Sequence, residues 1–183
     1  VKSVRLLSRC LAHLGHVDEA REIIADGIAA HPDDPWFLMA AARVELAAGN
    51  LGAARRHLRG AVALTPRDSR QILAYAYGIE GELHLASDRP TDARDSFQRA
   101  LRMDPSRHTI RIQLAETLAE MGQLDAALRE YRRVQERSGG YARLDVRIRA
   151  LEREMAGAAT GHEILDEQPS EEENKRGSEE SDS

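Results

Sequence analysis

The residues that could bind a metal ion or perform catalysis are few and widely separated in this sequence. The chain contains seven histidines and a single cysteine, Cys10. His13 and His16 are three residues apart, but no acid or cysteine at ligand spacing joins them. His162 and Glu163 lack the second histidine that completes a metalloprotease helix. We therefore interpret the histidines as solvated side chains, and we predict no metal ion and no cofactor.

Motifs for phosphate binding and nucleophilic catalysis are also missing from the sequence. It contains no glycine-rich phosphate loop and no nucleophile elbow, in which a serine lies on a sharp turn between a strand and a helix. Cys10 alone forms neither an intramolecular disulfide nor a zinc site, and we interpret it as a small apolar helix residue. These observations predict that the chain is not an enzyme.

The composition predicts a protein of packed helices without a membrane segment. Of the 183 residues, 42% are hydrophobic but only 4% are aromatic, which suits helices packed through Ala and Leu better than a core of large rings. No apolar run approaches the roughly 18 residues of a membrane span, and no signal-peptide pattern is present. We expect a soluble, cytoplasmic protein that does not contact a membrane.

A pattern of small, large apolar and helix-breaking residues recurs along the chain. In the segment 91–105, Ala93, Phe97 and Leu101 recur at helical spacing, and Asp104-Pro105 ends the helix. The equivalent small residues are separated by 34, then 39, then 34 residues, and a period near 34 indicates stacked helix-turn-helix units. The recurring positions are Ala20, Ala54, Ala93 and Ala127, then Ile24, Leu58, Phe97 and Tyr131, and finally Pro32, Pro66, Pro105 and Gly139.

This pattern resembles that of the tetratricopeptide repeat family, in which a glycine lies at the turn between the two helices of each repeat. Gly15, Gly49 and Gly122 occupy that turn position. The resemblance implies an all-α fold, a right-handed superhelix (solenoid) of stacked helix-turn-helix repeats with a C-terminal capping helix. We predict repeats at 1–34, 35–68, 69–107 and 108–140, a capping helix at 141–157 and a disordered acidic tail at 158–183.

The sequence departs from the family pattern at two places. Glu45 stands where the family has a large residue late in the first helix, which predicts rotated or weak packing at that layer. Five extra residues, 69–73, enlarge the third repeat, and we predict its first helix from about Arg70 to Ala86. Within it Gly81 matches the family's small contact position. Gly78 does not, and it indicates close approach by a neighbouring helix or a ligand.

In proteins of this family, the first helices of successive repeats line a concave groove that accepts an extended peptide or a helix. The resemblance therefore implies a protein or peptide partner and a non-catalytic adaptor or assembly scaffold. Aromatic residues, Met and Arg commonly anchor interfaces. The strongest candidates are Trp36, Met39, Arg43 and Tyr75, although Trp36 equally fits packing against the preceding helix. The full set carried over by position is Arg5, Arg9, Trp36, Met39, Arg43, Tyr75, Ile79, Glu82, Ile112 and Glu116.

The C-terminal residues differ in composition from the repeats. From about residue 160 onwards, the sequence contains nine acidic residues, only two basic residues (Lys175 and Arg176) and almost no large apolar residues. Such a segment buries too little apolar surface to fold. Because the N-terminal half of the groove is basic, we hypothesise an intramolecular contact between this tail and Lys2, Arg5, Arg9 and Arg43. A tail that only aids solubility is the favoured simpler interpretation.

Two other functions remain open at the level of sequence. The chain could be the regulatory repeat segment of a larger enzyme or secretion machine. An RNA-binding helical repeat is less favoured, because many arginines have acids three or four residues away and the chain before the tail has little net charge. We therefore predict no nucleic-acid partner.

Overall fold

The computed structural model describes residues 2–138 and 142–166, and these residues form α-helices joined by turns, without a strand. Two helices lie in each of the four predicted repeat ranges, and a longer helix follows them. The all-α prediction is therefore confirmed for the described residues. The helices are α1 (Lys2–His13), α2 (Val17–Ala30), α3 (Pro35–Ala47), α4 (Leu51–Leu64), α5 (Arg70–Leu85), α6 (Pro90–Met103), α7 (His108–Glu120), α8 (Leu124–Ser138) and α9 (Ala142–Asp166).

The turn inside each repeat is closed by the same hydrogen-bonded motif. After α1, the backbone N–H groups of Gly15 and His16 donate to carbonyls of the last helical turn at 3.2 and 2.9 Å. This motif requires a residue in the left-handed conformation. The φ angles of Gly15, Gly49 and Gly122 are 87°, 76° and 74°, as the sequence predicted. In the third repeat a non-glycine residue, Asp88, occupies this position with a φ of 55°.

A capping residue fixes where the first helix of repeat two begins. Before α3, the Asp34 carboxylate accepts a hydrogen bond from the Trp36 N–H at 2.9 Å, and Pro35 is the first helical residue. In the loop between α6 and α7, the Asp104 carboxylate accepts a bond from the Ser106 N–H at 3.1 Å, whereas Arg107, the N-cap residue of α7, makes no side-chain capping bond. The start of a helix sets the direction of every side chain along it. The Asp34 cap therefore helps to determine which residues of α3 reach the groove.

The hydrophobic core consists of three clusters that follow one another along the stack. The first joins α1, α2 and α3 around Ile24 and Phe37. The second joins α3, α4 and α5 around Met39 and Ile79. The third joins α6, α7, α8 and α9 around Phe97. Each cluster is built by consecutive helices, as expected of a solenoid whose repeats contact only their neighbours.

Glycines allow close contact between helices where a side chain would collide with the core. A methyl group at Gly81 would meet the ring of Phe97, with Cδ1 at 2.6 Å and Cζ at 2.7 Å. The ring of Phe37 lies in the same way against Gly27. At Gly78, the atom met first is Cδ1 of Ile110 at 2.8 Å. The close approach that the sequence indicated at Gly78 is therefore made by α7.

Glu45 is held by an ion pair between neighbouring repeats. The Arg21 guanidinium on α2 donates from Nε and from its terminal nitrogen to the two carboxylate oxygens of Glu45, at 2.8 and 2.9 Å. Asn50 donates to the same carboxylate at 2.9 Å. This bidentate contact lies in the layer where the family pattern has a large apolar residue, so a polar contact between two repeats stands there in place of an apolar side chain.

The last helix covers the end of the stack. Leu144, Ile148 and Leu151 of α9 are buried in the third cluster, as the apolar stripe of a capping helix requires. The helix continues to Asp166, beyond the predicted end of the capping helix at residue 157. The remainder of the predicted acidic tail, 167–183, lies outside the described residues.

Candidate functional site

Helices α1, α3, α5 and α7 stand side by side, and their neighbouring faces form the groove wall. α1 contacts α3, and α3 contacts α5. α7 is joined to α5 by a hydrogen bond from the Gln113 side chain to the Glu82 carboxylate at 2.9 Å. The first helix of each repeat therefore contributes to one continuous surface.

Two aromatic rings from successive repeats meet in the middle of this wall. The ring centroids of Trp36 on α3 and Tyr75 on α5 are 5.2 Å apart, with the planes tilted by 46°. The guanidinium carbons of Arg43 and Arg107 each lie 5.8 Å from the centroid of Tyr75. Cations at this distance from an aromatic ring are attracted by its π-electrons. The arrangement holds two positive groups beside a half-buried aromatic surface.

Arg107 reaches this ring from the loop before α7, and other contacts fix its position. Its Nε donates to the Asp104 carboxylate at 2.9 Å, and a terminal nitrogen donates to the backbone carbonyl of Gln71 at 3.0 Å. Hydrogen bonds from Ser106, followed by the contact with Arg107, lower the pKa of Asp104. The carboxylate therefore stays ionised and keeps the guanidinium in place near neutral pH.

The rings and guanidinium groups surround a small open pocket of about 190 Å³, which we call the aromatic–arginine pocket. A second pocket of about 300 Å³ adjoins it between α5 and α7, and Arg9, Arg43, Tyr75 and Arg107 line both. The residues of the aromatic–arginine pocket are Leu6, Arg9, Trp36, Ala40, Arg43, Tyr75 and Arg107.

Arginines line both groove pockets, and the adjoining pocket also contains a carboxylate. Among the described residues, three arginines and no acidic residue line the aromatic–arginine pocket. Among the described residues, no carboxylate lies within 4.0 Å of Arg9, which is exposed. In the adjoining pocket, Glu82 forms an ion pair with Arg43 at 3.2 Å. A ligand in the groove would therefore meet only positive charge in the aromatic–arginine pocket and would also meet the Glu82 carboxylate in the adjoining pocket.

The structure brings together four of the predicted groove residues, namely Arg9, Trp36, Arg43 and Tyr75, in the aromatic–arginine pocket. Trp36 packs on the following repeat, through its contact with Tyr75, and remains partly exposed. Ile79, Glu82 and Ile112 line the adjoining pocket. Arg5 lies on α1, and its side chain is outside the described part of the structure.

Three of the predicted residues have a different place from the one expected. The prediction that Met39 lines the groove is corrected, because Met39 has 0% exposure and packs in the second core cluster. Ile79 also has 0% exposure, so it supports the pocket wall from beneath without presenting a surface. Glu116 lines neither groove pocket. Its negative charge instead helps burial to raise the pKa of the Tyr131 hydroxyl on α8.

Several residues that line the groove were not indicated by the sequence, among them Leu6, Arg107 and Gln113. Leu6 and Gln113 lie at helix positions that were not among the groove positions taken from the family. Arg107 precedes α7 and reaches the groove only because Asp104 and the Gln71 carbonyl direct its long side chain. The Asp104-Pro105 pair that follows α6, shortly before Arg107, is the only sequence signal for it.

Residue clusters for metal chemistry are not found in the described ranges. No group of three or more His, Cys, Asp or Glu side chains there is arranged to hold a metal ion. His13 and His16 are both exposed, and His16 lies 3.6 Å from Glu19. Cys10 lies in α1 and is exposed rather than packed. Within the same ranges, no helix combines the length and the apolar character needed to cross a membrane.

Antiparallel helix pairs, stacked so that their first helices line a groove, define the class of helical-repeat scaffolds. Three family models described as tetratricopeptide repeat match this chain, at residues 1–44, 35–59 and 84–146. Together these matches cover more than half of the sequence. The chain belongs to the tetratricopeptide repeat family, whose repeats are generally non-catalytic modules for protein interaction.

Several solved structures share this fold. TTC0263, a thermophilic tetratricopeptide repeat protein of Thermus thermophilus, has 24% identity and a TM-score of 0.70, with 81% of this chain and 79% of that chain covered. For MamA the identity is 22% and the TM-score 0.63, with 78% and 80% covered. YrrB, described as having an unusual peptide-binding site, has 17% identity and a TM-score of 0.57, with 89% and 81% covered. No curated protein gives a significant match to the sequence.

Proposed function

We propose that this chain is an adaptor or assembly scaffold that binds an extended peptide or a helix of a partner protein in the groove. The observation that carries the proposal is the aromatic–arginine pocket. Trp36 and Tyr75 offer apolar ring surface there, and three guanidinium groups surround them. Aromatic rings with arginine are the side chains that contribute most to binding at protein interfaces.

The charges of the groove select a ligand with two unlike ends. Arg9 is exposed and has no carboxylate within 4.0 Å among the described residues, so it favours an acidic group of the ligand. The Arg43–Glu82 pair and Gln113 line the adjoining pocket, and Ile112 adds apolar surface there. A ligand with an acidic end followed by an apolar or basic segment satisfies both pockets. YrrB provides a precedent for peptide binding on this fold.

Affinity capture from the native lysate tests this proposal, with the full chain as bait. The bait variants are Arg9→Glu and Trp36→Ala, and the matched control is Arg56→Glu, an exposed arginine of α4 that lines neither groove pocket. We expect a partner to be retained by the unchanged bait and by the control, and to be lost from both groove variants. Equal retention by all four baits would place the interaction outside the groove.

Trp36 also provides a direct optical signal for groove binding. It is the only tryptophan of the chain, and it lies in the pocket wall. Titration of a purified partner peptide should therefore change the tryptophan emission, and the Arg9→Glu variant should need a higher peptide concentration for the same change. An unchanged emission spectrum at saturation would show that the peptide binds elsewhere.

The acidic C-terminal segment is a second ligand that we propose for the same groove. Residues 167–183 contain seven acidic and two basic side chains, whereas the aromatic–arginine pocket is lined by arginines without an acid. Competition by this segment would weaken partner binding at low salt, where exposed charges are screened least. Truncation after residue 166 should then tighten partner binding. If the affinity stays the same at low salt, the segment has no inhibitory role.

The alternative function is a regulatory repeat segment of a larger enzyme or secretion machine. The same groove supports this interpretation, because a repeat scaffold binds its partner in the same way whether it acts alone or as part of a longer chain. The coding sequence upstream of this segment separates the two functions. A catalytic or secretion component encoded in the same polypeptide would favour the alternative, and an open reading frame without one would favour the adaptor.

A further inference from the structure

A second basic cavity lies between α6, α7 and α8, apart from the groove. It is open, has a volume of about 570 Å³ and shares no lining residue with the two groove pockets. Leu101, Leu114 and Leu118 contribute apolar surface, and Gln98 and Gln123 add amide groups. Five guanidinium groups line it, those of Arg94, Arg102, Arg111, Arg129 and Arg133.

The carboxylates near this cavity do not balance its arginines. Arg111 and Arg133 both pair with the single carboxylate of Glu130, and Arg94 pairs with Asp95 at 2.8 Å. Within the described part of the chain, no carboxylate lies within 4.0 Å of either Arg102 or Arg129. Both of these side chains are exposed. The cavity therefore keeps an excess of positive charge that a ligand can neutralise.

Arg111 gives the cavity a fixed cationic wall. It is only 8% exposed, and its terminal nitrogens donate to Glu130 at 2.6 Å and to the Pro105 carbonyl at 3.1 Å. Its Nε is buried and has no acceptor among the described protein atoms. Buried N–H donors are normally bonded, so this guanidinium is held in place with part of its bonding capacity unused.

We propose that this cavity binds an acidic peptide segment of a partner protein, at a site separate from the groove. Guanidinium groups pair with carboxylates through two parallel hydrogen bonds, and exposed Arg102 and Arg129 are available for such pairs. The leucines give the aliphatic parts of the peptide a surface on which to pack. Single-stranded RNA suits the cavity less well, because none of the described residues that line it is aromatic and could stack on a base.

The test uses the full chain and a fluorescently labelled synthetic peptide of alternating Glu and Ala, followed by anisotropy at low salt. A peptide of alternating Gln and Ala has the same length without the charge. The double variant Arg102→Glu/Arg129→Glu alters two exposed side chains and leaves the Arg111–Glu130 pair in place. The matched control is Arg56→Glu/Arg67→Glu, at two exposed arginines that line neither this cavity nor the groove pockets, and Arg9→Glu/Arg43→Glu removes two arginines of the groove. Thermal melts confirm that each variant is folded.

We expect the acidic peptide, and not the glutamine peptide, to bind the unchanged chain. Binding should weaken by about tenfold or more in Arg102→Glu/Arg129→Glu and change little in the control Arg56→Glu/Arg67→Glu. Loss only in the groove variant would assign the peptide to the groove and overturn the proposal. No binding to the unchanged chain, or preferential binding of a single-stranded RNA oligonucleotide at the same arginines, would overturn it as well. Because the two variants separate the sites, this result does not depend on the function proposed for the groove.

Discussion

At two places in the described core, a buried glycine lies directly against an aromatic ring. One of these pairs is Gly81 on α5 and Phe97 on α6, where the ring occupies the volume that a side chain at Gly81 would need. Phe97 has 0% exposure, so its ring has little freedom to move away. At this scale, single atoms decide whether two helices of a repeat can pack.

The change Gly81→Ala should therefore destabilise the protein by about 1–3 kcal/mol, because the added methyl group overpacks the core against Phe97. Gly52→Ala is the matched control. It lies in α4, where the nearest atom to an added methyl group is a terminal nitrogen of Arg56 at 3.8 Å. That change should stabilise by about 0.4–1 kcal/mol through helix propensity and reduced freedom of the unfolded chain. Urea unfolding measures both, and equal effects would contradict the packing argument.

The ion pair between Arg21 and Glu45 should make part of the stability depend on pH. Hydrogen bonds from Arg21 lower the pKa of Glu45 below its usual value. A carboxyl with a lowered pKa in the folded state stabilises the protein above its unfolded pKa, and this contribution is lost as the pH falls through the folded value. The stabilising effect is therefore complete at neutral pH and disappears in acid.

We expect Glu45→Gln to lower the thermal unfolding midpoint at pH 7, and the difference from the unchanged protein to shrink below about pH 4.5. Thermal melts over a pH series measure this difference. Glu22→Gln, at an exposed position on α2, is the control and should have little effect at any pH. A difference for Glu45→Gln that stays constant down to strongly acidic pH would show that the ion pair is not its source.

At the scale of elements, the turns of the repeats were predictable from sequence, and their one exception was not. The glycines at three turns have positive φ angles because the motif that ends the first helix requires them. Asp88 fills the same position in the third repeat with a φ of 55°. Aspartate tolerates this conformation better than most residues, but it still has a Cβ atom in contact with the following peptide group.

Replacement of Asp88 by glycine should thus be neutral or stabilise the protein by up to about 1 kcal/mol, as relief of strain exceeds the added freedom of the unfolded chain. The converse change, Gly49→Ala, should destabilise by about 1 kcal/mol or more, because alanine is strained at a φ of 76°. Chemical denaturation of both variants provides the measurement. A loss of stability in Asp88→Gly would mean that the Asp88 side chain stabilises this turn.

The residues of the site were harder to predict than the helices, for physical reasons that differ from residue to residue. Met39 lies on α3 only three residues from Trp36, but its side chain is buried in the core. Assigning groove residues by their position in the family's repeat does not distinguish a core-facing from a groove-facing side chain at so short a spacing. Arg107 reaches Tyr75 across the repeats, at a distance in sequence that no local pattern spans. The contact of Arg21 with Glu45 is also between repeats. Helices follow from local periodicity, whereas these contacts depend on how repeats stack.

At the scale of the whole molecule, the separation of the core into three clusters predicts that stability is distributed unevenly along the stack. A solenoid is stabilised by each repeat and by its interfaces with the two neighbours. The third cluster includes Leu144, Ile148 and Leu151 of α9, which cover α8. The first two clusters contain no residue of α8 or α9. Weakening the contacts of the capping helix α9 should therefore destabilise the fourth repeat more than the first.

Leu151→Ala tests this directly, because Leu151 is buried and its truncation should cost about 2–5 kcal/mol locally. Hydrogen exchange should show faster exchange in α7 and α8, whereas amides of α2 and α3 keep nearly their original protection. Val146→Ala is the control on the same helix, since Val146 is 65% exposed and should leave exchange unchanged. If Leu151→Ala accelerates exchange equally in every helix, the stack unfolds as one cooperative unit. The groove, whose residues lie on α1, α3, α5 and the start of α7, would then lose its binding surface together with the cap.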